Sequence, residues 1–220
     1  MLNREKHRLI MFNILKDIFT SDMWKYFAFK WWTACYFLYS LDRFSTDLDF
    51  DLLEDIEWVD DFIESILKKY WTIKKWNKLV LSYWEDDINI KIDINRKIWK
   101  SNTYEVVNFY WFDIKVQDKS TIFANKLVAL LERNTNRDIY DVYFFFNNLF
   151  DINEEVIVER TWKNLKDLYI ELDKKLVSFP TNYKILDWLW EVLTEKQKLF
   201  VKQSLVLDLI WIIQMKINFW

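Results

Sequence analysis

The chain has 220 residues, a formal net charge of −3, one cysteine and one histidine. These values exclude a generally basic nucleic-acid-binding surface, a disulfide scaffold and a zinc site built from Cys and His. Hydrophobic residues make up 52% and charged residues 30%, which suits a soluble chain with one large domain or a core plus a smaller appendage.

The opening stretch, MLNREKHR, is too charged for a secretory signal peptide. Apolar residues at 9, 10, 12, 14, 15, 18 and 19 predict a helix over 5–20. YFAF (26–29) reads as a short buried strand running into Trp31–Trp32, and TACYFLYSL (33–41) as a short helix. FSTDLDFDL (44–52) alternates, with Leu48, Phe50 and Leu52 on one face and Asp47, Asp49 and Asp51 on the other. Ile56, Val59, Phe62, Ile63, Ile66 and Leu67 predict an amphipathic helix over 55–69.

Strands are expected at 72–75, 78–83 and 88–95. In the last, Ile88, Ile90, Ile92 and Ile94 face the core, so Lys91 and Asp93 share the opposite face. YEVVNFY and FDIKV, within 104–116, supply more strand. From 118 onward helical periodicity prevails, over 119–133, 138–149, 162–178 and, with interruptions, 183–218. Pro180, the single proline, separates the last two. LVLDLIWIIQM is short and interrupted by Asp208, so no membrane span is expected. The predicted class is α+β: a mixed β-sheet core with flanking helices in 1–117, then a helical region in 118–220, in a reducing cytoplasmic setting.

Glycine is absent and tryptophan occurs 14 times, where average usage predicts about fifteen glycines. Trp71 and Trp76 bracket TIKK, Trp84 follows KLVLSY, and Trp188 and Trp190 lie between two helical segments. All are junctions where glycine supplies positive φ without steric penalty. Some bacterial lineages translate UGA as glycine where another common table gives tryptophan, which would explain deficit and excess together. Trp99, in RKIWKSN, reads equally well as genuine tryptophan. An aromatic-rich core is the alternative for the whole set.

Carboxylates at i and i+2 on one strand project side by side, so Asp47 and Asp49 can bridge a hard cation. Asp93, from another strand, would complete a two-Mg2+ site of the kind used in nucleotidyl transfer. The same alternation also describes a solvated strand face.

With Trp31 and Trp32 read as glycine, FKWWTACYFLYSLDRFSTDLDFDL resembles the first motif of the AbiEii/AbiGii toxin family, nucleotidyltransferases of the DNA polymerase β superfamily. That motif is a Gly-Gly-Thr turn, a short helix and Arg-x-Ser-x-Asp-x-Asp, matched here by Thr33, Arg43, Ser45, Asp47 and Asp49. Asp93 in IKIDI resembles the second motif. KLVALLERNTNRDIYD resembles the third through Lys126, Arg133, Arg137, Asp138, Tyr140 and Asp141. The likeness extends from about 25 to 210.

The resemblance implies a nucleotidyltransferase fold and a toxin that transfers NMP from an NTP to an acceptor with Mg2+. It implies Asp47, Asp49 and Asp93 as metal ligands, with Asp93 also able to activate the acceptor hydroxyl. Trp31, Trp32, Thr33, Arg43 and Ser45 would lie at the nucleotide. Lys126 would neutralise triphosphate charge, and Arg137, Asp138 and Asp141 would fix Lys126 or contact the nucleotide. Without the resemblance, Lys126 and Arg133 read as an exposed helix face, and Arg137–Asp141 as helix capping with a local ion pair.

The implied acceptor is the tRNA acceptor end, and the implied partner is an antitoxin, often a winged-helix regulator. Two indoles at the turn would fill the phosphate site, so a catalytically inactive module is a further reading; a small-molecule nucleotidyltransferase is another. Lys68, Lys69, Lys74, Lys75 and Lys78 read as a solvated surface before an RNA-binding patch, and YFFFNNLF (143–150) as core before a stacking platform. Cys35 reads as a small buried side chain.

Overall fold

A computed structural model describes residues 3–70, 72–75, 79–82 and 89–219, with the backbone alone at 72–75 and 79. The chain divides into two compact units. One comprises Met1–Ile98 and Tyr104–Gln117, the other Trp99–Thr103 and Asp118–Trp220.

The first unit opens with α1 (Arg4–Phe19), capped by Asn3, whose side chain accepts from the Lys6 N–H at 3.0 Å. His7, Met11, Ile14, Leu15 and Ile18 are its buried stripe. A single 3-10 turn, Trp24–Tyr26, leads into β1 (Phe27–Phe29), and α2 (Trp31–Leu38) follows. β2 (Asp47–Leu52) starts three residues later than the alternation suggests. Phe44 and Ser45 are instead buried outside the ladder, and Ser45 bonds to Thr33.

α3 (Val59–Leu67) buries Val59, Ile63, Ile66 and Leu67 of the expected 55–69 helix, while Ile56 falls before its start and Phe62 is half-buried. β3 (Thr72–Lys75), β4 (Leu79–Ser82) and β5 (Ile90–Asn95) follow. β6 (Tyr104–Phe109) and β7 (Phe112–Gln117) form a hairpin around Tyr110–Trp111. The expected turns at Trp71, Trp76 and Trp84, and residues Lys78 and Ile88, lie outside the described residues.

These strands make one mixed sheet in the order β3-β4-β5-β2-β1-β7-β6, with β1/β7 and β2/β5 parallel and the other pairs antiparallel. Leu48, Phe50 and Leu52 are buried, and the Phe50 ring lies 5.9 Å from Phe27 and 5.6 Å from Phe29. Alternation along β2 therefore turns its aspartates to the other face of the sheet.

The second unit is helical. It holds α4 (Lys119–Glu132), α5 (Asn136–Asn147), α6 (Glu154–Thr161), α7 (Leu165–Val177), α8 (Glu195–Gln203) and α9 (Leu205–Asn218). α6 is absent from the sequence reading because only Val156 and Ile157 are buried along it, too few to show a period. The expected 183–218 segment resolves into α8 and α9, and α8 opens with a capping box between Thr194 and Gln197. Among the described residues no helix is long and apolar enough to cross a membrane.

Candidate active site

The parallel pairing of β2 with β5 sets Asp47 opposite Lys91, Asp49 opposite Asp93 and Asp51 opposite Asn95. Directly paired residues point to the same face of a sheet. Asp49 and Asp93 are thus neighbours, and Asp47 lies two residues along the same face.

The turn after β1 is tied to this strand. The Lys30 N–H donates to the Asp49 carbonyl at 3.0 Å, and the buried Thr33 hydroxyl donates to the Asp47 carbonyl. Thr33 Oγ1 also lies 2.7 Å from Ser45 Oγ. Arg43 is 1% exposed, donates to the Phe44 carbonyl at 3.2 Å and sits 5.4 Å from the Trp32 ring centre. Trp31 and Trp32 pack against each other at 5.1 Å, with the Lys30 ammonium 5.0 Å from the Trp31 ring centre. Two indoles thus occupy the turn, and Trp31 adopts a left-handed φ of 61°.

Asp51, the third acid of the alternation, has a different environment. Its carboxylate is fully buried and accepts from Lys30 Nζ at 2.7 Å and Asn95 Nδ2 at 2.8 Å, and from Tyr104 OH at 2.9 Å and Gln117 Nε2 at 2.8 Å. Donors from β5, β6, β7 and the turn after β1 meet on one side chain. Sequence reasoning placed Asp51 on the carboxylate face but missed this junction. Its long-range donors leave no signal in local spacing.

Three aspartates on two adjacent strands are a hard oxygen donor set, the type that Mg2+ selects. The donor chemistry and strand register suit a divalent cation. Among the described residues, no three His, Cys, Asp or Glu side chains converge as ligands do.

The helical unit holds a separate ion cluster. Lys126, 2% exposed on α4, pairs with Asp138 Oδ1 and Asp141 Oδ2 of α5, each at 2.9 Å. Arg133 forks onto Asp138 with Nε at 2.7 Å from Oδ2 and Nη2 at 3.1 Å from Oδ1. Burial alone would push the Asp138 carboxyl up, but Lys126 and Arg133 outweigh it and hold the group below the ordinary carboxylate range.

Of the three residues expected to fix Lys126 or contact the nucleotide, Asp138 and Asp141 pair with it. Arg137 instead donates from Nε to the Trp188 carbonyl at 2.8 Å, and Tyr140 OH accepts from Gln197 at 3.1 Å. The exposed-face reading fails for Lys126, which is buried, and describes Arg133 better, whose side chain is 41% exposed.

Residues 14–195 match the family described as nucleotidyl transferase AbiEii toxin, type IV TA system. No curated protein matches the chain. Among solved structures, JHP933 from Helicobacter pylori superposes with a TM-score of 0.61 at 21% identity, over 99% of this chain and 94% of that one. MenT4, a nucleotidyltransferase toxin from Mycobacterium tuberculosis, superposes with a TM-score of 0.59 at 15% identity, over 98% and 83%. At these identities the likenesses show the fold.

Proposed function

The chain belongs to the AbiEii family of nucleotidyltransferase toxins of type IV toxin–antitoxin systems, and from that premise we propose that it moves NMP from an NTP to the acceptor end of tRNA with Mg2+. The observation that carries the proposal is the β2/β5 register, which sets Asp49 against Asp93 with Asp47 on the same face. Those three carboxylates would hold the metal. Bound there, divalent cations neutralise triphosphate charge and make the attacking hydroxyl more acidic.

The remaining roles belong to the chain's own groups. Asp93 accepts the acceptor hydroxyl's proton on a carboxylate oxygen. Thr33 and Ser45, already bonded to each other, brace the phosphate turn against β2. Arg43 supports the same turn from below the surface. Lys126 offsets negative charge that develops on the transferred phosphoryl group; its support is the pair of carboxylates that fix its ammonium. The partner proposed is a winged-helix antitoxin encoded beside the toxin, and the setting is the cytoplasm.

One observation favours a second reading. The indoles of Trp31 and Trp32 stand where the family motif needs glycine, so the chain with tryptophan at both positions is an inactive module. The test uses labelled NTPs, Mg2+ and total tRNA with two proteins, the chain as it stands and its Trp31→Gly, Trp32→Gly variant. Label is expected on tRNA with the variant only, and Asp49→Ala in that variant should abolish it. Label in the Asp49→Ala protein would sink the metal assignment. Label on small hydroxyl compounds but not tRNA would favour a small-molecule transferase, and silence from both proteins would sink the transferase reading whether or not the indoles are present.

A further inference from the structure

Six described residues lie in the left-handed backbone region: Trp31 at φ 61°, Ser40 at 58°, Tyr110 at 58°, Leu149 at 53°, Trp162 at 59° and Trp188 at 66°. There a side chain crowds the backbone, and glycine alone escapes the clash. Bulky residues are genuine outliers in this region. Three of the six are nevertheless tryptophan, a type that fills 14 of 220 positions. Chance placement of a bulky residue would give the opposite bias.

Each of the three stands where chain geometry, and not the indole, sets the conformation. Trp162 ends α6, with its N–H donating to the Val158 carbonyl at 2.9 Å. That is the left-handed helix stop for which glycine is the usual residue. Trp188 lies in the turns between α7 and α8, and its carbonyl accepts from Arg137. Trp31 is the first residue of α2, directly after the extended N-cap Lys30.

At 162 and 188 burial of the indole offers little compensation; the Trp31 ring is half-buried against Trp32. Trp162 is 89% exposed and Trp188 76%, although indoles on average bury most of their surface. Trp24, Trp58, Trp111, Trp190 and Trp211 are also among the exposed large hydrophobics. The chain meanwhile contains no glycine at all.

We infer that in the protein made by its own host, positions 31, 162 and 188 are glycine, encoded by UGA codons that the host reads as glycine. Glycine at 31 removes the indole beside Lys30 and gives the turn before α2 a residue at ease with its φ. The inference rests on backbone and composition, independently of any activity.

The test reads the gene at those three codons and the three peptides of the native-host protein by mass spectrometry. UGA at each codon and glycine in each peptide are expected. A UGG codon at any of the three, or tryptophan in any of the peptides, overturns the inference. Glycine at 31 in a protein that labels no acceptor would sink the transferase reading and leave this one standing.

Discussion

Asp47, Asp49 and Asp51 alternate along one strand, yet their surroundings assign them different work. Asp51 is enclosed by four donors and pairs with the buried Lys30 at 2.7 Å. Removing one partner of such a pair strands the other charge, which costs about 3–5 kcal/mol. Asp51→Ala should therefore lower stability by about that much in urea unfolding, and a loss under about 1 kcal/mol would refute the anchoring role. Asp49 pairs in register with Asp93, so Asp49→Ala, made in the Trp31→Gly, Trp32→Gly chain, should remove nucleotide transfer while leaving the urea midpoint nearly unchanged.

Asp138 makes a pH-dependent contribution of the opposite kind to a simple buried acid. Its folded pKa is depressed: burial raises it, and Lys126 and Arg133 lower it by more. A depressed carboxyl stabilises fully above its unfolded value of about 3.9, and the contribution fades as pH falls through the folded value. Urea midpoints of the unaltered chain should thus fall steeply below about pH 4. Asp138→Asn should start lower at neutral pH and show a shallower decline in that window. Parallel curves for the two proteins would remove Asp138 from the acid response.

At the scale of elements, α4 ends against a side chain that periodicity did not single out. Lys175 Nζ on α7 donates to the carbonyls of Leu130 at 2.7 Å, Leu131 at 3.1 Å and Arg133 at 2.8 Å. It meets the carbonyls that a helix end leaves unpaired and the negative end of the helix dipole. Burial pulls its pKa down, against the opposing pull of Asp138. Lys175→Met keeps the stem and removes the donors, so about 1–3 kcal/mol should be lost. An unchanged unfolding curve would show that water replaces the ammonium.

What could be read in the sequence follows the same divide between local and distant. The stripe of α1, the alternation of β2 and the apolar positions of α3 are local patterns, and each yields an element near its expected place. The ends differ by up to four residues, at the start of β2 because Ser45 finds its partner outside the ladder. Asp49 beside Asp93, and Asp51 bound by Tyr104 and Gln117, depend on strands that meet only in the folded sheet. Motif resemblance could bring the first of these into view. Nothing in the spacing announced the second. The capping box at Thr194 was legible as Thr-x-x-Gln but lay within a segment read as one interrupted helix.

For the molecule as a whole, left-handed tryptophans occur in both units, Trp31 in the first and Trp162 and Trp188 in the second. The strain they impose is therefore spread through the fold instead of being confined to the turn before α2. A non-glycine residue in this region costs roughly 1–2 kcal/mol, and glycine relieves it. Because Trp162 and Trp188 are exposed, little packing is lost with their indoles. The double variant Trp162→Gly, Trp188→Gly should consequently gain about 2 kcal/mol or more, visible as a rise of several degrees in the melting temperature of the helical unit. Trp211 supplies the control. It is exposed too, but lies inside α9, where glycine costs about 1 kcal/mol relative to a helix-forming residue. Trp211→Gly should lower the melting temperature. If both variants move it downward, the indoles at 162 and 188 contribute packing that outweighs backbone strain, and the glycine assignment loses its energetic ground. Opposite shifts would locate the excess tryptophans by backbone conformation alone, without reference to catalysis.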